Sequence, residues 1–256
     1  EEFFLEPVFE YSIAQGIEQK VLAPCQVAKA KINGTTANIK TLRKAVATAK
    51  QKADKKKTTS EFELTLDQLD TLAQDKELNN SFIHLYLHTK NPTTGKMVQD
   101  GQCIIFALSR LHSIALCEKF KEICPDIKVG FLDSQDSKNT KKNIEKFKKG
   151  ELKLLINVDI VSEGVDLPVD SIMDLQPTNS PLKLTQRFGR GIRMPDPMLY
   201  IEVDYSLGAG FKSATGLLGG RMQLGDCSGF EQHKIEDRDR LKESEELVFL
   251  DYEINF

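Results

Sequence analysis

An arginine-rich segment carries the strongest chemical signal in the sequence. Residues 186–193 read Q-R-F-G-R-G-I-R, so Arg187, Arg190 and Arg193 recur at every third position with two glycines between them. The planar guanidinium group stays charged and grips phosphate oxygens through two parallel hydrogen bonds, and glycine lets a backbone approach another surface closely. A solvated basic helix end does not need glycines interleaved with Gln and Arg in this way, so the segment predicts contact with phosphate groups.

Polar residues that follow a short apolar run form a second group of candidates. Ser109 and Arg110 follow the run 103–107, where a strand turns into a helix, and His112 and Ser113 lie in the first helical turn. Amide groups at the start of a helix, together with a hydroxyl, can hold a backbone phosphate without reading sequence. A histidine in a first helical turn is more often structural, which makes His112 the weaker candidate.

The elements that must position these residues alternate between strand and helix from about Gln102 to Asp204. Apolar runs predict strands at 103–107, 129–132, 152–158, 170–175 and 198–203, and helical spacing predicts helices over 111–123 and 137–149 and from 182 to 189. This alternation indicates an α/β fold, with a parallel sheet covered by helices on both faces.

The segments on either side of this region differ from it in charge. Residues 29–57 hold ten Lys or Arg residues and a single acid, Asp54, around a thin apolar stripe, which predicts a basic helical or partly disordered insertion. Helices are predicted over 64–72 and 81–87, and the tail 231–256 holds nine acids against four bases and ends in a strand-like run at 247–250. The division that follows is an N-terminal segment over 1–100 with a basic insertion, a core over 101–206, and a glycine-rich, acidic C-terminal extension over 207–256.

Composition narrows the class of protein. A chain of 256 residues that is 29% charged and 40% hydrophobic is neither disordered, collagenous nor a disulfide scaffold, and its net charge of -3 means that any surface for a polyanion must be local. The five cysteines are never spaced as C-x-x-C and suit buried thiols in a reducing compartment, and no apolar run approaches the roughly 18 residues of a membrane span. We expect a cytoplasmic protein with no metal site of its own and no membrane contact.

Taken in order, the motifs of the core resemble those of superfamily 2 helicases. The segment 186–193 is similar to motif VI, the stretch E-G-V-D-L-P at 163–168 to motif V, the run 103–110 to motif IV, and F-K-K-G at 147–150 to the stretch that precedes motif V. No G-x-x-x-x-G-K-[ST] sequence and no acidic D-E-x-[DH] box occurs in the chain. The resemblance therefore implies the C-terminal RecA-like motor domain, paired with an N-terminal RecA-like domain of the same polypeptide.

The resemblance also implies roles for individual residues. Arg190 and above all Arg193 would be arginine fingers, which stabilise charge on the γ-phosphate of an ATP that the N-terminal domain holds with Mg2+. The nucleotide contacts would be Gln186, Arg187, Gly164 and Asp166. The phosphate contacts to nucleic acid would be Ser109, Arg110, Ser113, Ser134 and Ser162.

Three functional hypotheses stay open. The first is the second motor domain of an ATP-dependent DNA helicase or translocase, in the manner of a type I or type III restriction motor or a DNA-repair helicase, with DNA or RNA and restriction-modification subunits as partners. The second is a stand-alone nucleic-acid-binding module without ATPase activity, and the third, another α/β phosphate-binding enzyme, has only the fold in its favour. Under either of the first two, Lys55, Lys56 and Lys57 of the basic insertion would neutralise phosphates, although a solvated insertion explains them almost as well.

Overall fold

The computed structural model describes residues 13–23, 25–32, 36–56, 64–91, 94–158, 167–192, 197–207, 214 and 247–254, with backbone alone at residues 14, 18, 49–56 and 247–254. The strands are β1 (Cys25–Ile32), β2 (Cys103–Phe106), β3 (Val129–Phe131), β4 (Leu154–Asn157), β5 (Ser171–Asp174), β6 (Met198–Asp204) and β7 (Leu247–Ile254). The α-helices are α1 (Ile13–Glu18), α2 (Ala37–Lys56), α3 (Leu66–Ala73), α4 (Lys76–His88), α5 (Arg110–Ile123), α6 (Ser137–Lys148) and α7 (Pro181–Phe188). Among the described helices, none combines the length and the apolar character needed to cross a membrane.

The seven strands form one sheet in the order β3-β4-β2-β5-β6-β1-β7. Every pairing is parallel, and Cys25 at the start of β1 lies opposite both Met198 of β6 and Leu247 of β7. The α/β, RecA-like fold class predicted from the sequence is confirmed. The sheet draws strands from all three segments of the sequence, since β1 comes from residues 1–100 and β7 from residues 207–256.

Helices cover both faces of the sheet because side chains along each strand alternate between two cores. Ile105 belongs to the core that contains residues of α2, α3, α4 and α5, whereas its neighbour Ile104 belongs to the core that contains residues of α1, α6 and α7. Strands buried on both sides must be apolar at consecutive positions, which is why they read as continuous apolar runs in the sequence.

The helices near the strand ends begin and end at residues that satisfy their backbone. The Ser109 hydroxyl accepts a hydrogen bond from the His112 amide at the start of α5, and Ser180 caps α7 in the same way, followed by a proline at the first helical position. Gly150 follows α6 with a φ of 72°, a conformation that favours glycine. The sequence predicted both of these helix starts to within one residue.

The basic insertion is more ordered than the sequence predicted. Residues 29–32 belong to strand β1 inside the sheet, and residues 37–56 form helix α2, which buries Ile39, Leu42 and Val46 against the core. The stripe that looked thin in the sequence is therefore sufficient to hold the helix, because three residues at helical spacing reach an already formed apolar surface. The helix predicted at 81–87 begins a turn earlier, at Lys76, where Asp75 caps it.

Candidate functional site

The turn between β2 and α5 is held from two neighbouring helices. The Ser109 hydroxyl donates to an Asp70 carboxylate oxygen of α3, and His112 Nε2 lies 2.9 Å from Asn79 Oδ1 of α4. The Leu108 amide donates to His112 Nδ1 at 3.0 Å, so the ring carries its proton on Nε2. Burial lowers the pKa of His112 to about 4. The neutral ring therefore holds this turn in place through its hydrogen bonds to the Leu108 amide and to Asn79.

Arg110 and Asp133 join two loops at the carboxyl edge of the sheet. Arg110 Nε and Nη2 donate to Asp133 Oδ1 and Oδ2, each at 2.7 Å, in a two-bond fork. The side chain of Arg110 is 40% exposed and that of Asp133 is 10% exposed. The hydrogen bonds from Arg110 are the main reason that the pKa of Asp133 falls to about 2, so this carboxylate is ionised at neutral pH.

The predicted phosphate contacts differ in their accessibility. Ser109, Arg110 and Ser134 lie in the loops after β2 and β3, at the same edge of the sheet, and Ser134 is exposed. Ser109 is buried, and its hydroxyl is engaged with Asp70 and with the His112 amide. Ser113 is also buried, and its hydroxyl donates to the Arg110 carbonyl at 2.8 Å inside α5. The structure brings Ser109, Arg110 and Ser134 to one edge of the sheet, where Arg110 and Ser134 are exposed and the Ser109 side chain is buried.

Arg187 of α7 lies in the interior instead of lining an open surface. Its Nη1 donates to Asp174 Oδ1 at 3.0 Å and to the Gln176 carbonyl at 3.0 Å, its Nη2 donates to Gln176 Oε1, and its guanidinium carbon lies 5.5 Å from the centre of the Phe106 ring. The second Asp174 oxygen accepts from Tyr200 Oη at 2.6 Å. These contacts bind α7 to β5, β6 and the end of β2, and a nucleotide contact of Arg187 stays a prediction.

The chain after α7 turns across the amino ends of β6 and β1. A methyl group at Gly191 would lie 1.7 Å from Met198 Sδ, and the Ile192 carbonyl accepts from the Ala23 amide at 2.9 Å, just before β1. This is the close approach that the interleaved glycines predicted. Arg190 is buried here, and Gln186 is half-buried on α7. Gly191 and Ile192 of the arginine segment therefore lie at the edge of the sheet opposite to Arg110.

Several predicted residues lie outside the described part of the chain. They are Ser162, Gly164, Asp166, Arg193 and Lys57, together with the side chains of Lys55 and Lys56. Of the other cations in the basic insertion, Arg43 donates to the carbonyls of Tyr205 and Ile32, and Lys29 Nζ lies 3.1 Å from Asp204 Oδ2. Lys31, Lys40 and Lys44 are exposed. Only part of the basic charge is thus available to a ligand.

A cleft of about 440 Å³ opens at the carboxyl ends of β5, β6 and β1, and its lining includes Lys31, Gln176 and Thr178. It continues the edge that carries Ser109, Arg110 and Ser134. Among the described residues no group of three or more His, Cys, Asp or Glu side chains could hold a metal ion.

Sequence reasoning missed three polar residues that organise the site, Asp133, Asp174 and Tyr200. Two of them had a signal, because each aspartate stands at or just after the end of a short apolar strand, where polar side chains of parallel sheets converge. Tyr200 lies within an apolar run, and nothing in the sequence marks its hydroxyl as the partner of a buried carboxylate.

Comparisons with known proteins find sequence similarity to helicases. The family model described as the helicase conserved C-terminal domain matches residues 80–195. IRC3 of Saccharomyces cerevisiae, which is named as an ATP-dependent helicase, is 32% identical over 190 residues that cover 72% of this chain and 26% of that protein. The irc3 protein of Schizosaccharomyces pombe, named as a mitochondrial ATP-dependent helicase, is 34% identical over 92 residues that cover 36% of this chain and 15% of that protein.

Among solved structures, the C-terminal domain of the DEAD-box protein Dbp5 is similar with a TM-score of 0.44 and 17% identity, covering 69% of this chain and 84% of that chain. The chain spans about a quarter of the length of its first curated relative.

Proposed function

We propose that the chain, whose residues 80–195 match the family model of the helicase conserved C-terminal domain, is the second motor domain of an ATP-dependent DNA or RNA helicase or translocase. The observation that carries the proposal is that the family match includes both the Arg110 turn and the whole arginine segment 186–193. The ATP-dependent helicase names of the two curated relatives support the same activity. An N-terminal RecA-like domain of the same polypeptide would complete the motor.

The carboxyl edge of the sheet is the proposed path of the nucleic acid. The exposed guanidinium of Arg110, the exposed Ser134 hydroxyl and the first amides of α5 can all donate to phosphate oxygens, and none of them selects a base. The exposed Lys31 extends this edge towards β1. We assign further contacts to Ser162 and to Lys55, Lys56 and Lys57, which add charge without sequence preference.

The opposite edge of the sheet is the proposed nucleotide side. Arg190 and Arg193 would reach the γ-phosphate of ATP bound by the N-terminal domain, which would also hold most of the Mg2+ coordination. Gln186, Gly164 and Asp166 would contact the nucleotide. Guanidinium and amide donors suit phosphate and ribose oxygens, and the packing of Gly191 against Met198 fixes the direction in which the backbone leaves α7.

Substitution of Arg193 in the polypeptide that carries both motor domains tests the proposal. Arg193→Ala should lower ATP turnover at saturating nucleic acid by roughly 10³ to 10⁵, because an arginine finger acts mainly in the transition state. Binding of ATP and of nucleic acid should change little. The measurement is steady-state phosphate release.

Lys183→Ala is the matched control, since Lys183 is an exposed cation on α7 before the arginine segment. It should leave turnover near normal. A drop of less than tenfold in well-folded Arg193→Ala protein would contradict the assignment and transfer it to Arg190. A restriction-modification partner and a cytoplasmic location remain proposals drawn from the sequence.

A further inference from the structure

The ion pair between Arg110 and Asp133 connects two chain segments that follow non-adjacent strands of the sheet. Arg110 follows β2 and Asp133 follows β3, and strand β4 lies between these two strands. The pair therefore crosses the end of β4 at the carboxyl edge. An exposed cation that is anchored across a third strand has a defined position, which a solvated side chain of the same type does not have.

Asp133 is the fixed partner of this pair. Its amide donates to Thr140 Oγ1 at 2.9 Å, and the same hydroxyl donates to its carbonyl at 2.8 Å. Its Oδ1 also accepts from the Gln135 amide at 3.0 Å. The backbone and the carboxylate of Asp133 are thus both held by the loop and by α6, so Arg110 adapts to Asp133.

The fork leaves one side of the guanidinium group available. Nε and Nη2 of Arg110 face the carboxylate, and Nη1 has no hydrogen bond to any residue that the structure describes. Two N–H groups of Nη1 therefore remain to donate. Ser134, which follows Asp133 directly, is exposed.

We infer that Asp133 is a positioning residue, which holds Arg110 with its Nη1 group directed towards a backbone phosphate of the bound nucleic acid. The inference rests on the proposed function. Under this inference, Asp133 favours the binding of a polyanion although its own carboxylate is negatively charged. The pKa of Asp133, about 2, keeps its carboxylate ionised at neutral pH, so repulsion between Asp133 and the phosphates is present whenever the protein binds nucleic acid.

Net charge alone and the positioning role predict opposite changes in nucleic-acid affinity when the Asp133 carboxylate is removed. Removal of a carboxylate near a polyanion should strengthen binding if only net charge matters. If Asp133 positions Arg110, its removal should weaken binding, since the loss of a directed charged hydrogen bond exceeds the relief of repulsion.

The test measures the Kd of the full chain for single-stranded oligo(dT) and, in parallel, oligo(U), over a range of salt concentrations. Asp133→Asn should weaken binding by at least about threefold, as expected for the partial loss of a charged hydrogen bond. It should also flatten the slope of log affinity against log salt by about 0.7, the value of one phosphate contact on a single strand. The two oligonucleotides show whether DNA and RNA use the same contact.

Asp136→Asn is the matched control. Asp136 is an exposed acid three residues away that caps α6 through the Asn139 amide, and Asn is an equally good cap. This variant removes the same charge from the same loop without touching Arg110. Its binding should be unchanged or tighter.

The Arg110→Ala background separates positioning from a general loss of structure. In that background Asp133→Asn should tighten binding, because only repulsion remains to be removed. Arg110→Lys keeps the charge but cannot offer one side to Asp133 and the other to phosphate, so it should weaken binding as Asp133→Asn does. Arg110→Lys also keeps the inference testable if Asp133→Asn does not fold.

Two results would have different meanings. Tighter or unchanged binding by folded Asp133→Asn, or wild-type binding by Arg110→Lys, would overturn the positioning role while leaving the proposed function intact. Failure of the unmodified chain to bind either oligonucleotide would overturn the proposed nucleic-acid path, and the inference with it.

Discussion

At the scale of single residues, the buried pair of Asp174 and Arg187 is the contact on which the arginine segment depends. The two side chains are 4% and 2% exposed, and Tyr200 and Gln176 satisfy further groups of the pair. A buried ion pair contributes little net stability compared with apolar residues of the same size, but loss of one partner leaves a buried charge without compensation. The pair therefore fixes where α7 lies.

Asp174→Ala should lower the free energy of unfolding by about 3 to 5 kcal/mol, because the Arg187 guanidinium would stay buried without its carboxylate. Urea denaturation measures this change. The double variant Asp174→Leu with Arg187→Met should lose less free energy of unfolding than Asp174→Ala alone, since this pair of substitutions leaves neither charge of the buried ion pair.

Lys119→Ala provides the comparison for an exposed pair. Lys119 Nζ lies 3.2 Å from Glu122 Oε2 on the surface of α5, and its loss should cost less than about 1 kcal/mol. A similarly small loss for Asp174→Ala would show that the buried pair does not anchor α7.

At the scale of elements, α3 and α4 act as a support for the turn between β2 and α5. Asp70 and Asn79 contact Ser109 and His112, and the His112 ring also lies 6.0 Å from that of Phe82. Neither helix carries any of the resemblance that the sequence shows to helicase motifs. Their contribution to the site is to set the position of the residues that do.

The support predicts a pH dependence of stability. Burial lowers the pKa of His112 in the folded chain to about 4, below the ordinary value of 6.5. Between pH 6.5 and pH 4, therefore, the unfolded chain binds a proton on His112 that the folded chain does not bind. The contribution of neutral His112 to the free energy of unfolding is complete above pH 6.5 and is lost as the pH falls towards 4. Between neutral pH and about pH 4.5, the free energy of unfolding should fall by roughly 2 to 3 kcal/mol through this residue.

Urea denaturation of His112→Gln at both pH values tests this prediction, since glutamine does not titrate. Its loss of stability on acidification should be smaller than that of the unmodified chain. His84→Gln, which changes an exposed histidine of α4, should behave like the unmodified chain. Equal acid losses in all three proteins would exclude His112 as the titrating group.

At the scale of the whole molecule, the sheet separates the two proposed activities. Ser109, Arg110 and Ser134 lie at the carboxyl edge, while Gly191 and Ile192 of the arginine segment lie beside the first residues of β6 and β1. Helix α7 and its buried Arg187 span the distance between these edges.

The chain by itself should hydrolyse no ATP, because its 256 residues include neither a phosphate-binding G-x-x-x-x-G-K-[ST] loop nor an acidic D-E-x-[DH] box. Without a bound nucleotide, the proposed arginine fingers would have no phosphate charge to stabilise. Phosphate release in the presence of oligonucleotide should not exceed that of the Arg193→Ala chain. Turnover clearly above that control would show that the residues of this chain assemble a nucleotide site unaided.

The sequence by itself determined the fold class, most of the elements and the order of the motifs. Strands buried on both faces must be apolar at consecutive positions, and Ser109, Ser180 and Gly150 carry the local signals that begin or end helices. These are properties of neighbouring residues, which a sequence displays directly.

Only the tertiary structure decided which polar groups meet. Arg187 and Asp174 are 13 positions apart, Arg110 and Asp133 are 23 apart, and Asn79 and His112 are 33 apart. Nothing in the sequence distinguishes the buried Arg187 from an arginine that faces a ligand, because the two have the same chemistry and the same spacing. Strand order and helix packing bring each pair together, so the burial and the partner of a charge follow from long-range contacts that no local pattern encodes.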